Sequence, residues 1–213
     1  MFPVKHTESA LRRAAGWAGV ELSVDQLDLL TRYAEWLVAE AVPAGGVGPA
    51  EGARIIDRHV ADSLVFGRGW VDTTVPSTLI DVGSGVGLPG IPLAIAYPGI
   101  AVTLLDRSER RTGLAGRAVR ILGLTNAVAV QGDVSHLTSR YGAATFRASL
   151  PVIDALDAAR TALDTGGTAV IGLSRSRSPA ETPTAEPGET IQLLETPEGI
   201  LDSPAWHLRM TRN

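Results

Sequence analysis

With 213 residues, 45% of them apolar and 20% charged, the chain has the composition of an ordinary globular protein, long enough for one sizeable core with embellishments. It contains no cysteine, which excludes disulfides, thiolate metal sites, iron–sulfur clusters and a cysteine nucleophile. A net charge of −4 does not advertise nucleic acid at the level of the whole molecule. No apolar run reaches the length of a membrane span, and Met1–Ser9 lacks a signal-peptide core, so the expectation is a cytoplasmic protein with no membrane partner.

Taken in order, residues 7–40 read as helical. Thr7 with Glu8–Ser9 marks a start, and Ser23 precedes a clearer stretch with Leu27, Leu30, Tyr33, Ala34, Leu37 and Val38 on one face. Trp17, Tyr33 and Trp36 read as core residues of a small helical cap. The Gly/Pro/Ala-rich residues 41–53 read as a loop, and residues 54–70 as a resumed helix that brings His59, Asp62 and Ser63 close together. Residues 1–70 are thus predicted to form an N-terminal helical cap packed on a main domain, residues 71–213, in one compact unit.

From Thr78 the rhythm becomes strand–helix–strand. "TLIDVG" and "AVTLLD" are continuous in apolar residues, as buried parallel strands are. "SERRTGLAGRAVRILGL" reads as an amphipathic helix, "AVAVQGD" as a third strand and "AATFRA" as a shorter fourth. "SLPVIDALDAARTALDTGG" reads as a helix closed by its glycines, and "TAVIGLS" as a fifth strand. This alternation predicts an α/β fold with a doubly wound, mostly parallel sheet. The Pro/Ser/Thr/Glu-rich residues 174–190 read as a mobile loop, followed by a closing antiparallel hairpin from "TIQLLETP" and "AWHLRMTR".

The most informative stretch is "LIDVGSGVGLPGIPLAIAYPGIAVTLLD", residues 79–106. Gly85–Gly90 satisfies G-x-G-x-x-G, and Asp106 lies at the distance that holds a ribose hydroxyl, which is a dinucleotide fingerprint. The same residues, read as Asp81-x-Gly83-x-Gly85-x-Gly87, fit the loop of an S-adenosylmethionine (SAM) methyltransferase. A carboxylate at Asp81 disfavours a pyrophosphate and favours a cationic ammonium and sulfonium, so the charge argument selects SAM. Asp106 suits either ribose. A tight turn with no ligand remains the bland alternative.

"DVGSGVGLPGIPLAIAYP" together with "VTLLDRSERR" resembles the bacterial 16S rRNA (guanine-N7) methyltransferase family, also called glucose-inhibited division protein B. "IIDRHVADSL" resembles that family's "RHxxDSL" helix, "FRASLPVIDAL" its "RA" segment, and "WHLRMTR" its terminal strand. The resemblance covers roughly residues 20–175 and the C-terminal strand. It implies SAM-dependent methyl transfer to N7 of a guanosine in small-subunit ribosomal RNA, with the ribosomal RNA or the small subunit as partner. It also implies Gly83 and Leu88 at the cofactor loop, Val134–Ser135 beside the adenine, and Arg147 near the reacting end. The candidate cofactor-binding set is therefore Asp81, Gly83, Ser84, Gly85, Gly87, Leu88, Asp106, Arg107, Asp133, Val134, Ser135 and Arg147, with Arg147 also the candidate catalytic residue. Guanine N7 carries a free lone pair, so no general base is required; the enzyme must position the reactants and replace water. Alternatively, Arg147 makes a structural ion pair with Asp81 or Asp133.

The chain departs from the family where substrate is expected. Trp36 is followed by "LVAEAVPAGG" in place of a Trp-x-x-x-x-Asn-Leu-Thr-like segment, Ser135 replaces an acid, and "LSRSRSPAE" replaces a Lys-Gly pair. His59, Arg175 and Arg177 are the candidate substrate-binding residues. His59 and Asp62 without a third ligand make no metal site, so none is expected, and such a pair more simply ties a helix to the domain. Arg110, Arg111, Arg117 and Arg120 form a basic helix face, suited to phosphate or to solvent. The rival readings are the same fold methylating a small molecule, a non-catalytic SAM-binding protein, and an NAD-dependent oxidoreductase. The oligomeric state is not legible.

Overall fold

Strands that are apolar on both faces need helices on both faces. The computed structural model describes residues 4–173 and 181–213. Its sheet is built from β1 (Thr78–Val82), β2 (Ala101–Asp106), β3 (Ala127–Gln131), β4 (Tyr141–Arg147), β5 (Leu163–Gly172), β6 (Glu189–Thr196) and β7 (Ala205–Arg212), in the order β3-β2-β1-β4-β5-β7-β6. The first five strands run parallel, and β7 pairs antiparallel with both β5 and β6. This is a doubly wound, mostly parallel α/β sheet. The strand order reverses between β1 and β4, where a crevice opens at the carboxyl ends of the strands.

The helices are α1 (Val4–Trp17), α2 (Val24–Trp36), α3 (Asp62–Leu64), α4 (Gly90–Ala96), α5 (Glu109–Leu122) and α6 (Val152–Ala162). Alternation along each strand sends successive side chains into two cores. Leu79, Leu104, Ala143 and Val170 join α1, α2, α4 and α5 on one face, while Ile80, Leu105, Ala144, Phe146 and Ile171 lie with α6 on the other. In the first core Leu11, Leu30 and Tyr33 of the cap are continuous with Leu79 and Ile91. The cap is also bonded in place. Ser23 and Gln26 form a capping box, and the Gln26 amide donates to the carbonyls of Ile95 and Ala96 at the end of α4.

Several boundaries differ from those expected. The two helical stretches expected within 7–40 are separated at Gly19, whose φ of +75° closes α1 before Ser23 starts α2. Beyond α2 the chain continues as a π-helical turn, Leu37–Ala41. Within the 41–53 break, Pro49–Arg54 winds as a 3-10 helix. The single helix expected over 54–70 is instead a π-helical segment (Ile56–Ala61), α3 and a 3-10 turn (Val65–Trp70). That last turn must lie flat on the core: a Cβ on Gly67 would meet Tyr97 Oη at 2.2 Å, and one on Gly69 would meet Val170 Cγ2 at 2.1 Å. Nor do glycines close α6. The chain turns extended at Leu163, which pairs with Tyr141, and Gly166–Gly167 lie inside β5 at a register shift. The last carbonyls of α6 are taken instead by guanidinium groups: Arg140 and Arg212 both donate to Arg160 O and Leu163 O. Among the described residues no helix is long and apolar enough to cross a membrane.

Two glycines give opposite expectations. A Cβ on Gly90 would meet Leu104 Cδ2 at 2.2 Å and Asp81 Oδ2 at 2.9 Å, whereas one on Gly113, within α5, meets nothing within 4 Å. Gly90→Ala should lower stability by about 1–3 kcal/mol and Gly113→Ala should raise it by up to ~1 kcal/mol, read from urea midpoints. Equal midpoints for the two variants would contradict this packing.

Candidate functional site

Two carboxylates at strand ends hold the glycine loop. Asp106, closing β2, accepts from Gly85 N–H at 2.9 Å and from Ser108 N–H at 2.8 Å. Asp81, inside β1, accepts from Gly90 N–H at 2.8 Å and from Thr145 Oγ1 at 3.0 Å. Between them Gly83 and Ser84 donate their N–H groups to Leu105 O. Gly83 has φ +71°, and a Cβ there would meet Ser149 Cβ at 2.3 Å, so the loop and the end of β4 approach as only glycine permits. The cap supports the loop from behind: Tyr33 Oη donates to Val86 O at 3.0 Å, and Gly46 in the linker fits against Val86.

In front of this loop a cleft of about 410 Å³ crosses the carboxyl ends of β1 to β4, a size suited to a nucleoside-like ligand. Its wall includes Gly83 after β1, Asp106, Arg107 and Arg111 after β2, Asp133 and Val134 after β3, and Ala148–Leu150 after β4. Asp133 caps the turn Val134–His136, accepting from Ser135 N and Oγ, and these bonds hold its carboxyl below the usual range. Arg107 approaches Asp133 at 3.8 Å. Ala148 has φ +52°, a left-handed conformation costing a non-glycine residue about 1 kcal/mol. It turns Ser149 under the loop. The hydroxyls of Ser84 and Ser149 are buried with no hydrogen-bond partner among the described residues. Unspent polar groups beside a glycine cradle, with a strand-end carboxylate that retains lone pairs, fit the polar end and ribose of a SAM-like cofactor.

The expected site residues divide into two groups. Gly83, Asp106, Arg107, Asp133 and Val134 line the cleft, while Ser84 and Leu88 are buried beneath it. Gly85 bonds Asp106, Gly87 has φ +103° over Ile91, and Ser135 is spent on Asp133. Asp81 requires a correction. It is fully buried, lies behind the loop rather than on the cleft wall, and both its oxygens are engaged inside the protein. Desolvation pushes its pKa up to about 7, opposed by the bonds from Gly90 and Thr145. A carboxylate so placed supports the loop, and the charge argument that selected SAM over a dinucleotide loses its geometric basis.

Arg147 lies on the other side of the β4 end, with Thr145 and Asp81 on one face of the sheet. Its Nε donates to Asp62 at 3.0 Å, and its Nη2 to Arg58 O at 2.8 Å and toward His59 Nδ1 at 3.3 Å. Its ion-pair partner is therefore Asp62, in place of the Asp81 or Asp133 alternative. His59 Nε2 contacts Glu51 Oε2 at 3.2 Å. Burial, then Arg147, lowers the His59 pKa. His59 and Asp62 thus tie the 56–64 segment to β4, and no group of three or more metal-ligating side chains occurs among the described residues. Of the basic helix face, Arg110 donates to Ala44 O, Arg117 pairs with Glu40 at 3.0 Å, and Arg111 reaches the cleft. Arg175 and Arg177 lie outside the described residues. Ser149, Ser108 and Glu51 were not singled out from sequence; the first two stand just past the ends of β4 and β2, the signal that points to them, while Arg111 belongs to the basic face expected of α5.

A family described as rRNA small subunit methyltransferase G (GidB) matches residues 26–184, a span that contains every strand end lining the cleft. The chain is 31% identical over 206 residues to a Frankia casuarinae protein named ribosomal RNA small subunit methyltransferase G, covering 91% of this chain and 76% of that one. It is 41% identical over 108 residues to a Mycobacterium sp. (strain KMS) protein of the same name, covering 51% of this chain and 46% of that one. Against several such relatives the matched stretch thus spans about half of their length. TrmN from Thermus thermophilus shares the fold, with a TM-score of 0.50 and 16% identity over 71% of this chain and 49% of that one.

The raised Asp81 pKa has a signed consequence. The folded protein holds a proton on this group from the unfolded value of 3.8 up to about 7. Its favourable contribution is therefore full below about pH 4 and lost as pH rises through 7. Relative to Asp81→Asn, the wild type should lose on the order of 3 kcal/mol between pH 4 and pH 8 in urea melts. A difference that is flat with pH would contradict the burial.

Proposed function

The chain belongs to the rRNA small subunit methyltransferase G family, and from that premise we propose that it transfers a methyl group from SAM to N7 of a guanosine in 16S ribosomal RNA. The observation that carries the reading is the family match over residues 26–184, which takes in the whole cleft. The working compartment is then the cytoplasm and the partner the small ribosomal subunit or its RNA.

SAM, when bound, supplies an electrophilic methyl group on a sulfonium. The chain's own task is positional. Asp106 offers its remaining lone pairs to the ribose hydroxyls while its backbone bonds keep the carboxylate still. Val134 packs beside the adenine, and Asp133 and Ser135 shape the turn that carries it. Ser149, on the cleft wall, would offer its unspent hydroxyl to the polar end, and Arg111 and Arg107 give the rim positive charge. The family resemblance assigns Arg147 to the reacting end; it lies across the β4 end from the cleft wall, held by Asp62, Arg58 O and His59, and its guanidinium would donate to the guanine carbonyl. Because N7 needs no deprotonation, orienting the lone pair in line with the methyl group and excluding water suffice.

Two measurements test this. S-adenosylhomocysteine at a hundredfold its Kd should stabilise the protein by about 2.7 kcal/mol in thermal melts while NAD at equal concentration leaves the Tm unchanged; the reverse ranking would sink the cofactor assignment. Labelled methyl groups from SAM should appear on one guanosine of small ribosomal subunits, mapped by chemical cleavage at N7-methylguanine. Label confined to small nucleophiles, or transferred to none, would replace this reading with a small-molecule methyltransferase or a non-catalytic binder.

A further inference from the structure

Arg147 is held by a chain of groups that reaches beyond its ion pair. Its Nε and Nη2 are spent on Asp62, Arg58 O and His59, whereas Nη1 makes no hydrogen bond among the described residues. A guanidinium is only a donor, so His59 Nδ1 at 3.3 Å must be the acceptor, and the imidazole proton must sit on Nε2. That proton points at Glu51 Oε2, 3.2 Å away. Glu51 comes from the 3-10 turn Pro49–Arg54, in the stretch read from sequence as a loop. The order is therefore Glu51, His59, Arg147, Asp62, with His59 and Arg147 side chains largely covered.

The tautomer is the point of the arrangement. Without an acceptor opposite Nε2, the imidazole is free to carry its proton on Nδ1 and would then aim a donor at a permanent cation. Glu51 removes that option. We propose that Glu51 and His59 are positioning residues: Glu51 holds His59 as the Nε2–H tautomer, and His59 Nδ1 with Asp62 fixes the Arg147 guanidinium so that its Nη1 donors are presented at the reacting end of the site. This rests on the role given to Arg147 above. It differs from a purely structural tie, which would change stability without singling out turnover through Arg147.

The test uses the full chain with SAM and small ribosomal subunits. His59→Leu should lower kcat ~10-fold with KM for SAM changed less than about threefold, the pattern of lost orientation rather than lost binding. His59→Asn places a carbonyl oxygen where Nδ1 stood and should recover most of that rate, although it cannot reach Glu51. Glu51→Ala should cost ~3-fold or more in the wild type and nothing further in the His59→Asn background, where no tautomer is left to choose. In an Arg147→Ala background His59→Leu should add no further loss. Urea midpoints identify any variant that fails to fold, and His59→Asn carries the test in that case. Additive losses with Arg147→Ala, or a Glu51→Ala loss that persists beside His59→Asn, would overturn the proposal and leave the cluster as scaffold. A wild-type rate for Arg147→Ala alone would instead overturn the underlying reading of that arginine, and with it the proposal.

Discussion

The bond from Gly85 N–H to the Asp106 carboxylate is the constraint on which the rest of the site depends. It joins the loop after β1 to the end of β2, so the loop's position is set by the sheet and not by its own flexible glycines. The companion bond from Gly90 N–H to Asp81 fixes the other end of the loop at the start of α4. Once both ends are pinned, Gly83 is brought against Ser149 at the end of β4, and the cleft has its walls. Each of these backbone amides is paired with a side-chain oxygen in place of the water that an exposed loop would use.

The two faces of the sheet then take separate duties. Phe146 and its neighbours fill the core under α6, while Thr145 and Arg147 alternate to the face shared with Asp81 and the cap. That alternation is why one side of the β4 end supplies cleft wall and the other supplies an arginine bound to the 56–64 segment. The cap is tied to the same machinery, since Tyr33 bonds Val86 in the loop and Gln26 bonds the end of α4. Tyr33 and Trp36 are core residues, Trp17 is half-buried at the edge of that core, and Tyr33 is also a brace.

Much of this is legible in the residue order. Continuous apolar runs mark β1 and β2, and the glycine spacing marks the loop, because both obey local rules of sterics and burial. Asp106 is legible as an acid at a strand end beside the loop, but its bonds to the backbone of Gly85 and Ser108 are not. Asp81 misleads for a physical reason: sequence gives its place at a strand but not the direction of its carboxylate, and the pleat turns that group inward to Thr145. The winding of 54–70 is likewise hidden, since Gly67 and Gly69 answer to Tyr97 and Val170, residues distant in the chain. The end of α6 escapes for the same reason, its carbonyls being satisfied by Arg140 and Arg212. Arg147 stands out from its "RA" neighbourhood, yet its partner Asp62 and the Glu51 beyond it are tertiary facts.

The most direct measurement is a crystal structure of the chain grown with S-adenosylhomocysteine. The expected result is a ligand across the carboxyl ends of β1 to β4, with its ribose hydroxyls bonded to Asp106, its adenine against Val134, and the loop unmoved. A ligand bound at the opposite end of the sheet, beside Pro76 and Gly142, or a ribose held without Asp106, would contradict the assignment of this cleft.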